Sequence, residues 1–116
     1  MSGYSKLKHT TYECKYHIVF IPKCRRRVLY DQIKKCLGEL FRELAVQRGS
    51  SIIEGHICSD HVHMLISIPP KYSISPLMGY LKDKSAIYIA RNLLGHKRNL
   101  TGQSFWARGF FYLDHR

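Results

Sequence analysis

Two apolar runs, Ser51 to Ile57 and Val62 to Ile68, are joined by a short connection through Cys58, Ser59 and Asp60, and Pro69 and Pro70 stop the second run. A link this short implies a hairpin of two strands. Upstream, Tyr12 to Ile21 is rich in aromatic and β-branched residues, and Pro22, which cannot donate to a ladder, closes it as a further strand. Between that strand and the hairpin, Ile33, Leu37, Leu40, Phe41, Leu44 and Ala45 recur at helical spacing from a capping Asp31 to a stop at Gly49. Beyond the hairpin, Ser73 or Ser75 caps a second helix that tolerates Pro76 in its first turn. Leu77, Met78, Leu81, Ile87 and Leu94 form its apolar side, opposite Lys82, Lys84 and Arg91. Phe105 to Leu113 is aromatic enough for a last strand, with Gly109 as a bulge.

The resulting order, β, α, β, β, α, β, is that of an α+β chain with a split βαβ, ferredoxin-like plan: an antiparallel sheet with helices on one face. The other face is then open to substrate, a partner subunit or a missing segment. The chain's 116 residues suffice for one domain, and its 45% hydrophobic content suffices for a core, which excludes global disorder. No membrane-length apolar run and no apolar leader occur, so a cytoplasmic location is expected. Cys14, Cys24, Cys36 and Cys58 are too scattered for a zinc ribbon or a redox pair and read as reduced thiols.

Charge narrows the partner. Nineteen Lys and Arg against eight Asp and Glu leave +11 with histidines neutral, a field that draws polyanions, and the basic residues are interleaved with aromatics. Nucleic acid fits first and an anionic membrane surface second. Lys23, Arg25, Arg26 and Arg27 crowd the end of the first strand, either as a solvated charge run or as phosphate contacts.

The sharpest motif is Asp60-His61-Val62-His63, at the start of an apolar strand. Side chains at i and i+2 of a strand share a face about 6.6 Å apart, so His61 and His63 can converge on one ion. Imidazole suits Mg²⁺ poorly and accepts Mn²⁺, Zn²⁺ and similar ions, and two ligands leave positions open for substrate. An H-x-H match alone is weak, because neighbouring histidines on an exposed sheet face are also ordinary surface residues. Beside so much positive charge, the pair points to metal-assisted phosphodiester chemistry, in which a dication polarises phosphorus and orients a nucleophile in line.

Tyr16-His17-Ile18-Val19-Phe20, Pro22-Lys23 with Arg25-Arg26, Asp60-His61-Val62-His63-Met64-Leu65, Pro69-Pro70, Met78-Gly79-Tyr80-Leu81-Lys82 and Phe105-Trp106-Ala107-Arg108-Gly109 follow one another along the chain. In this order they resemble the small HUH-type, single-tyrosine insertion-sequence transposases over nearly the whole length. The resemblance implies a dimeric enzyme that cuts and rejoins single-stranded DNA at hairpin-bearing element ends, through a 5′-phosphotyrosine linkage. It further implies that His61 and His63 hold Mg²⁺ or Mn²⁺, with Lys23, Arg25, Arg26, Arg27, Lys82 and Arg108 as DNA contacts. In that family the attacking tyrosine stands on a helix downstream of the F-W-x-R-G strand. The sequence stops at Arg116, so the expectation is a single domain, residues 1–116, without that tyrosine, in which Tyr112 does not take the role and the catalytic residue is unassigned.

Several residues admit two readings. Asp60 is either a ligand or orienting partner for an imidazole, or simply a turn residue. Trp106, Phe110 and Phe111 either stack bases, at about 1–3 kcal/mol each, or pack in the core. Tyr80 and Tyr88 are packing residues first and substitute nucleophiles second. His17 reads as a structural histidine that can approach the pair across the sheet, and His56 as a neighbour rather than a ligand. The alternative to a transposase is a non-catalytic nucleic-acid-binding module on the same fold, using charge and aromatics alone.

Overall fold

A computed structural model of the protein describes residues 14–23, 31–93 and 105–115. Strand β1 (Cys14–Phe20) leads to helix α1 (Asp31–Gln47), then to strands β2 (Ser51–Ile57) and β3 (Val62–Ile68), helix α2 (Ile74–Tyr88) and strand β4 (Phe111–Asp114). A π-helical turn, Ile89–Leu93, continues α2. The strands form one sheet in the order β2-β3-β1-β4, with every neighbouring pair antiparallel. That order is the split βαβ, ferredoxin-like arrangement the sequence predicts.

Strand alternation assigns the two faces. Ile18 and Phe20 of β1 and Val62, Met64, Ile66 and Ile68 of β3 are all at most 2% exposed and join one cluster with Leu37, Phe41 and Leu44 of α1 and Leu77, Met78 and Leu81 of α2. Both helices therefore lie on this face. Residues one step out of phase, His17 and Val19 on β1 and His63 on β3, project to the opposite side, which no described helix covers.

The helix termini follow local chemistry. Pro76 sits in the first turn of α2, where its missing N–H is one of the donors left without intrahelical partners, and Ser73 is the N-cap, without a side-chain capping bond. At the end of α1, Ser50 N–H donates to Ala45 O at 2.9 Å and Gly49 N–H to Val46 O at 3.0 Å, the paired bonds of a Schellman stop. Gly49 has φ +71°, and a Cβ added there would lie 2.8 Å from Cε2 of Tyr72. We expect Gly49→Ala to cost about 1–2 kcal/mol, as left-handed backbone requires. Denaturant unfolding checks it; an unchanged midpoint would show that α1 does not stop in this conformation.

The hairpin is as expected: Ile57 pairs with Val62, and Cys58 N–H donates to His61 O at 2.9 Å. The last strand is not. Strand structure covers only Phe111–Asp114, because Trp106 is drawn into the core and bridges Pro22 alone, and Gly109, at φ +77°, turns the chain back towards the sheet as a loop residue rather than a bulge. Ile87 is half-buried, and Leu94 lies outside the described residues. Among the described residues, no helix is long and apolar enough to cross a membrane.

Candidate functional site

The start of β3 fixes where the histidines of the H-x-H motif can point. Val62 is 1% exposed and faces the helices, so His63 beside it in β3 projects to the uncovered face, while His61, just before the strand, borders a cleft at its head. His61 Nδ1 lies 3.0 Å from Oδ1 of Asp60. An ionised carboxylate only accepts, so Nδ1 carries the proton and the Nε2 lone pair is left for an ion. Asp60 thereby acts as an orienting partner, on side chains that are 39% (His61) and 46% (Asp60) exposed.

His63 belongs to a larger grouping. Its ring lies 5.5 Å from that of His17 on β1 and 6.4 Å from that of His56 on β2, and His17 Nε2 is 2.9 Å from Nδ1 of His115, just past β4. One imidazole from each strand or its end thus forms a row across the uncovered face. Sequence reasoning missed His115 as a member of this row and placed His56 beside the site only as a neighbour. The usable signal was alternation combined with the cross-strand register His56↔His63 and His17↔Leu113, which only the folded sheet supplies. Among the described residues, no three His, Cys, Asp or Glu side chains converge closely enough to hold a metal. An ion on His61 and His63 would therefore keep several positions open, which is what binding a phosphate oxygen requires.

His61 also borders a cleft of about 520 Å³ lined by Val19, Ile21, Asp60, Arg108 and Phe111. A guanidinium and an orientable imidazole thus share one concavity, with an aromatic side chain that is 81% exposed at its edge. Arg108 is itself exposed, on the loop between Trp106 and β4. Lys23 is exposed at the end of β1, whereas Arg25, Arg26 and Arg27 lie outside the described residues.

Burial corrects one expectation and decides between two readings of another residue. Lys82 is only 8% exposed, and its ammonium donates to Ala107 O at 2.7 Å and Gly109 O at 3.0 Å. It is committed to the main chain on either side of Arg108, so it anchors the loop rather than standing on an open surface. Trp106 is 0% exposed; its Nε1–H donates to Ser85 Oγ at 2.9 Å, and Ser85 in turn donates to Lys82 O. It is therefore unavailable to stack on a base. Phe110 packs half-buried against the core, which leaves Phe111 as the exposed aromatic of the three.

The tyrosines lie elsewhere. Tyr80 donates its hydroxyl to Gln47 Oε1, with Arg48 stacked 4.0 Å over its ring at the far end of α1. Tyr112 packs edge-on against Tyr16, on the helix side of the sheet.

Residues 10–115 match the sequence profile of the family described as Transposase IS200 like. The chain belongs to the IS200-like transposase family. It is 40% identical over 111 residues to the transposase for insertion sequence element IS200 of Salmonella typhimurium, covering 96% of this chain and 73% of that protein. It is 32% identical over 104 residues to the ISDra2 transposase TnpA of Deinococcus radiodurans, with 88% and 73% covered. Among solved structures, a Deinococcus radiodurans protein described as a transposase superposes with a TM-score of 0.78 at 26% identity, over 88% of this chain and 78% of that one. A REP-associated tyrosine transposase bound to a REP hairpin superposes with a TM-score of 0.65 over 89% of this chain and 56% of that one; at 15% identity it supports the fold alone. In this IS200-like transposase chain, the histidine row lies on the uncovered face of the sheet, and the Arg108 cleft opens at the end of β1 and the head of β3, beside the loop that Lys82 holds against α2.

Proposed function

We propose that residues 1–116 form one HUH-type domain that binds single-stranded hairpin DNA at the ends of a mobile element, in the cytoplasm, as a homodimer. His61 and His63 hold a divalent ion, Mg²⁺ or Mn²⁺; Mn²⁺ suits the imidazole pair better. The observation that carries this reading is the shared cleft of His61 and Arg108, with Asp60 fixing the His61 tautomer. When bound, the ion supplies Lewis-acid polarisation of a phosphate oxygen. Arg108 donates to the neighbouring phosphate oxygens in the planar fork that suits them, Lys23 and the Arg25–Arg27 run extend the positive track at the end of β1, and Phe111 offers a ring for an unpaired base. Lys82 keeps the Arg108 loop against α2.

No described tyrosine lines this cleft, so attack on the scissile phosphate is assigned to none of Tyr16, Tyr72, Tyr80, Tyr88 or Tyr112. By themselves the described residues bind and orient; the family's cutting and rejoining needs a tyrosine brought to the cleft.

The test is hairpin binding followed by fluorescence anisotropy, with and without Mn²⁺. In the native chain, Mn²⁺ should tighten binding severalfold. In His61→Ala and His63→Ala that gain should vanish while metal-free affinity stays within about twofold, since the electrostatic contribution of the basic residues is untouched. A native chain that binds equally well with and without the ion would leave a charge-only nucleic-acid module instead.

A further inference from the structure

The imidazole row contains more donors than the His61 and His63 site uses. His17 Nε2 and His115 Nδ1 face one another at 2.9 Å, with ring centroids 4.8 Å apart. The ladder holds the two residues in place: His17 is paired with Leu113 in the β1–β4 register, and His115 N–H donates to Lys15 O at 2.8 Å. A hydrogen bond between two neutral imidazoles uses one proton and one lone pair. A divalent ion in that position would take a lone pair from each ring, and a small opening of the pair would suffice to admit it.

We propose that His17 and His115 form a second metal site, for an imidazole-preferring transition ion such as Zn²⁺ or Cu²⁺, distinct from the His61 and His63 pair. Imidazole donors favour these ions over Mg²⁺, and Cu²⁺ and Zn²⁺ stand above Mn²⁺ in affinity for such sites. The ion ties β4, a four-residue edge strand exposed at every position, to the centre of the sheet through β1. It thereby stiffens the strand that follows the Arg108 loop. With two protein ligands it remains open to exchange, as a reversible clip rather than a closed structural site.

The site stands whether or not His61 and His63 carry an ion, and the experiment separates the two. Equilibrium dialysis with Zn²⁺ and electron paramagnetic resonance with Cu²⁺ are run on the whole chain, on a double variant and on a quadruple variant, with circular dichroism confirming that each is folded. A chain carrying His61→Gln and His63→Gln should still bind one ion and show the nitrogen couplings of two imidazoles. A chain carrying His17→Gln and His115→Gln on top of His61→Gln and His63→Gln, so that the first pair cannot take up the probe, should bind that ion at least tenfold more weakly. Amide exchange in Phe111–Asp114 should slow when Zn²⁺ is added to the native chain. Loss of the ion from the first variant, its undiminished retention by the second, or unchanged exchange in β4 would each overturn the proposal.

Discussion

Replacing Trp106 by alanine is expected to destabilise the chain by about 3–5 kcal/mol, the range for removing a large aromatic side chain from a packed core. The indole is 0% exposed and stands edge-on to Phe20 at 4.8 Å and to Phe105 at 4.8 Å, with Phe41 at 6.3 Å. It therefore touches β1 and α1 at once, while its Nε1–H reaches α2 through Ser85. Filling the cavity would therefore require β1, α1 and α2 to move together. Since domains of this size are stable by only about 5–15 kcal/mol, the variant should lose a large share of its folded margin. Trp106→Phe separates the contributions: it keeps an aromatic in the core, loses the bond to Ser85, and should cost about 1–2 kcal/mol. Urea unfolding followed by circular dichroism measures both. A loss below about 1 kcal/mol for the alanine variant would mean that the indole does not fill this core and is free to meet a base.

Why the sequence leaves Trp106 undecided and misplaces Lys82 is a matter of which pattern carries the information. Aromatic enrichment from Phe105 onward is equally good for a strand, a stacking platform or a core plug, and only the folded chain shows that Trp106 is the plug. Lys82 was assigned to the charged side of α2 by its residue type. Its position contradicts that: the buried residues of α2 are Leu77, Met78, Leu81, Lys82, Ser85 and Ala86, pairs repeating every four residues, and Lys82 is in phase with them. That stripe was legible, and a lysine inside it already implied a partner within the protein. The hairpin, both helices and the placement of His61 and His63 at the head of β3 were legible because period-two and period-3.6 patterns, together with Pro69 and Pro70, act locally. The histidine row was not, since it depends on the register between four strands far apart in sequence.

Lys82→Met should cost about 1.5–3 kcal/mol near neutral pH, the usual range for hydrogen bonds to a charged group, because it strips the donor from the carbonyls of Ala107 and Gly109 while nearly preserving side-chain volume. The cost should vary with pH in a definite sense. Burial pushes the Lys82 ammonium below lysine's ordinary 10.5, with Asp83 pulling weakly the other way. Between the lowered folded value and 10.5 the unfolded chain binds more protons than the folded one, so the Lys82 contribution to stability rises with pH across that window. Below the folded value both states are protonated and the desolvation cost is carried in full. Tyr16 works in the opposite sense: burial, then the neighbouring Cys14, raise its phenol above 10.0, so its contribution falls as pH climbs past that value. Tyr16 is common to both chains, so the difference between native and Lys82→Met unfolding curves, measured from pH 7 to 11, isolates the lysine. The same variant decides what Lys82 does for DNA. As an anchor of the Arg108 loop, its loss should lower both stability and hairpin affinity. As a surface phosphate contact, it would leave stability within about 0.5 kcal/mol while flattening the salt dependence of binding by roughly one charge.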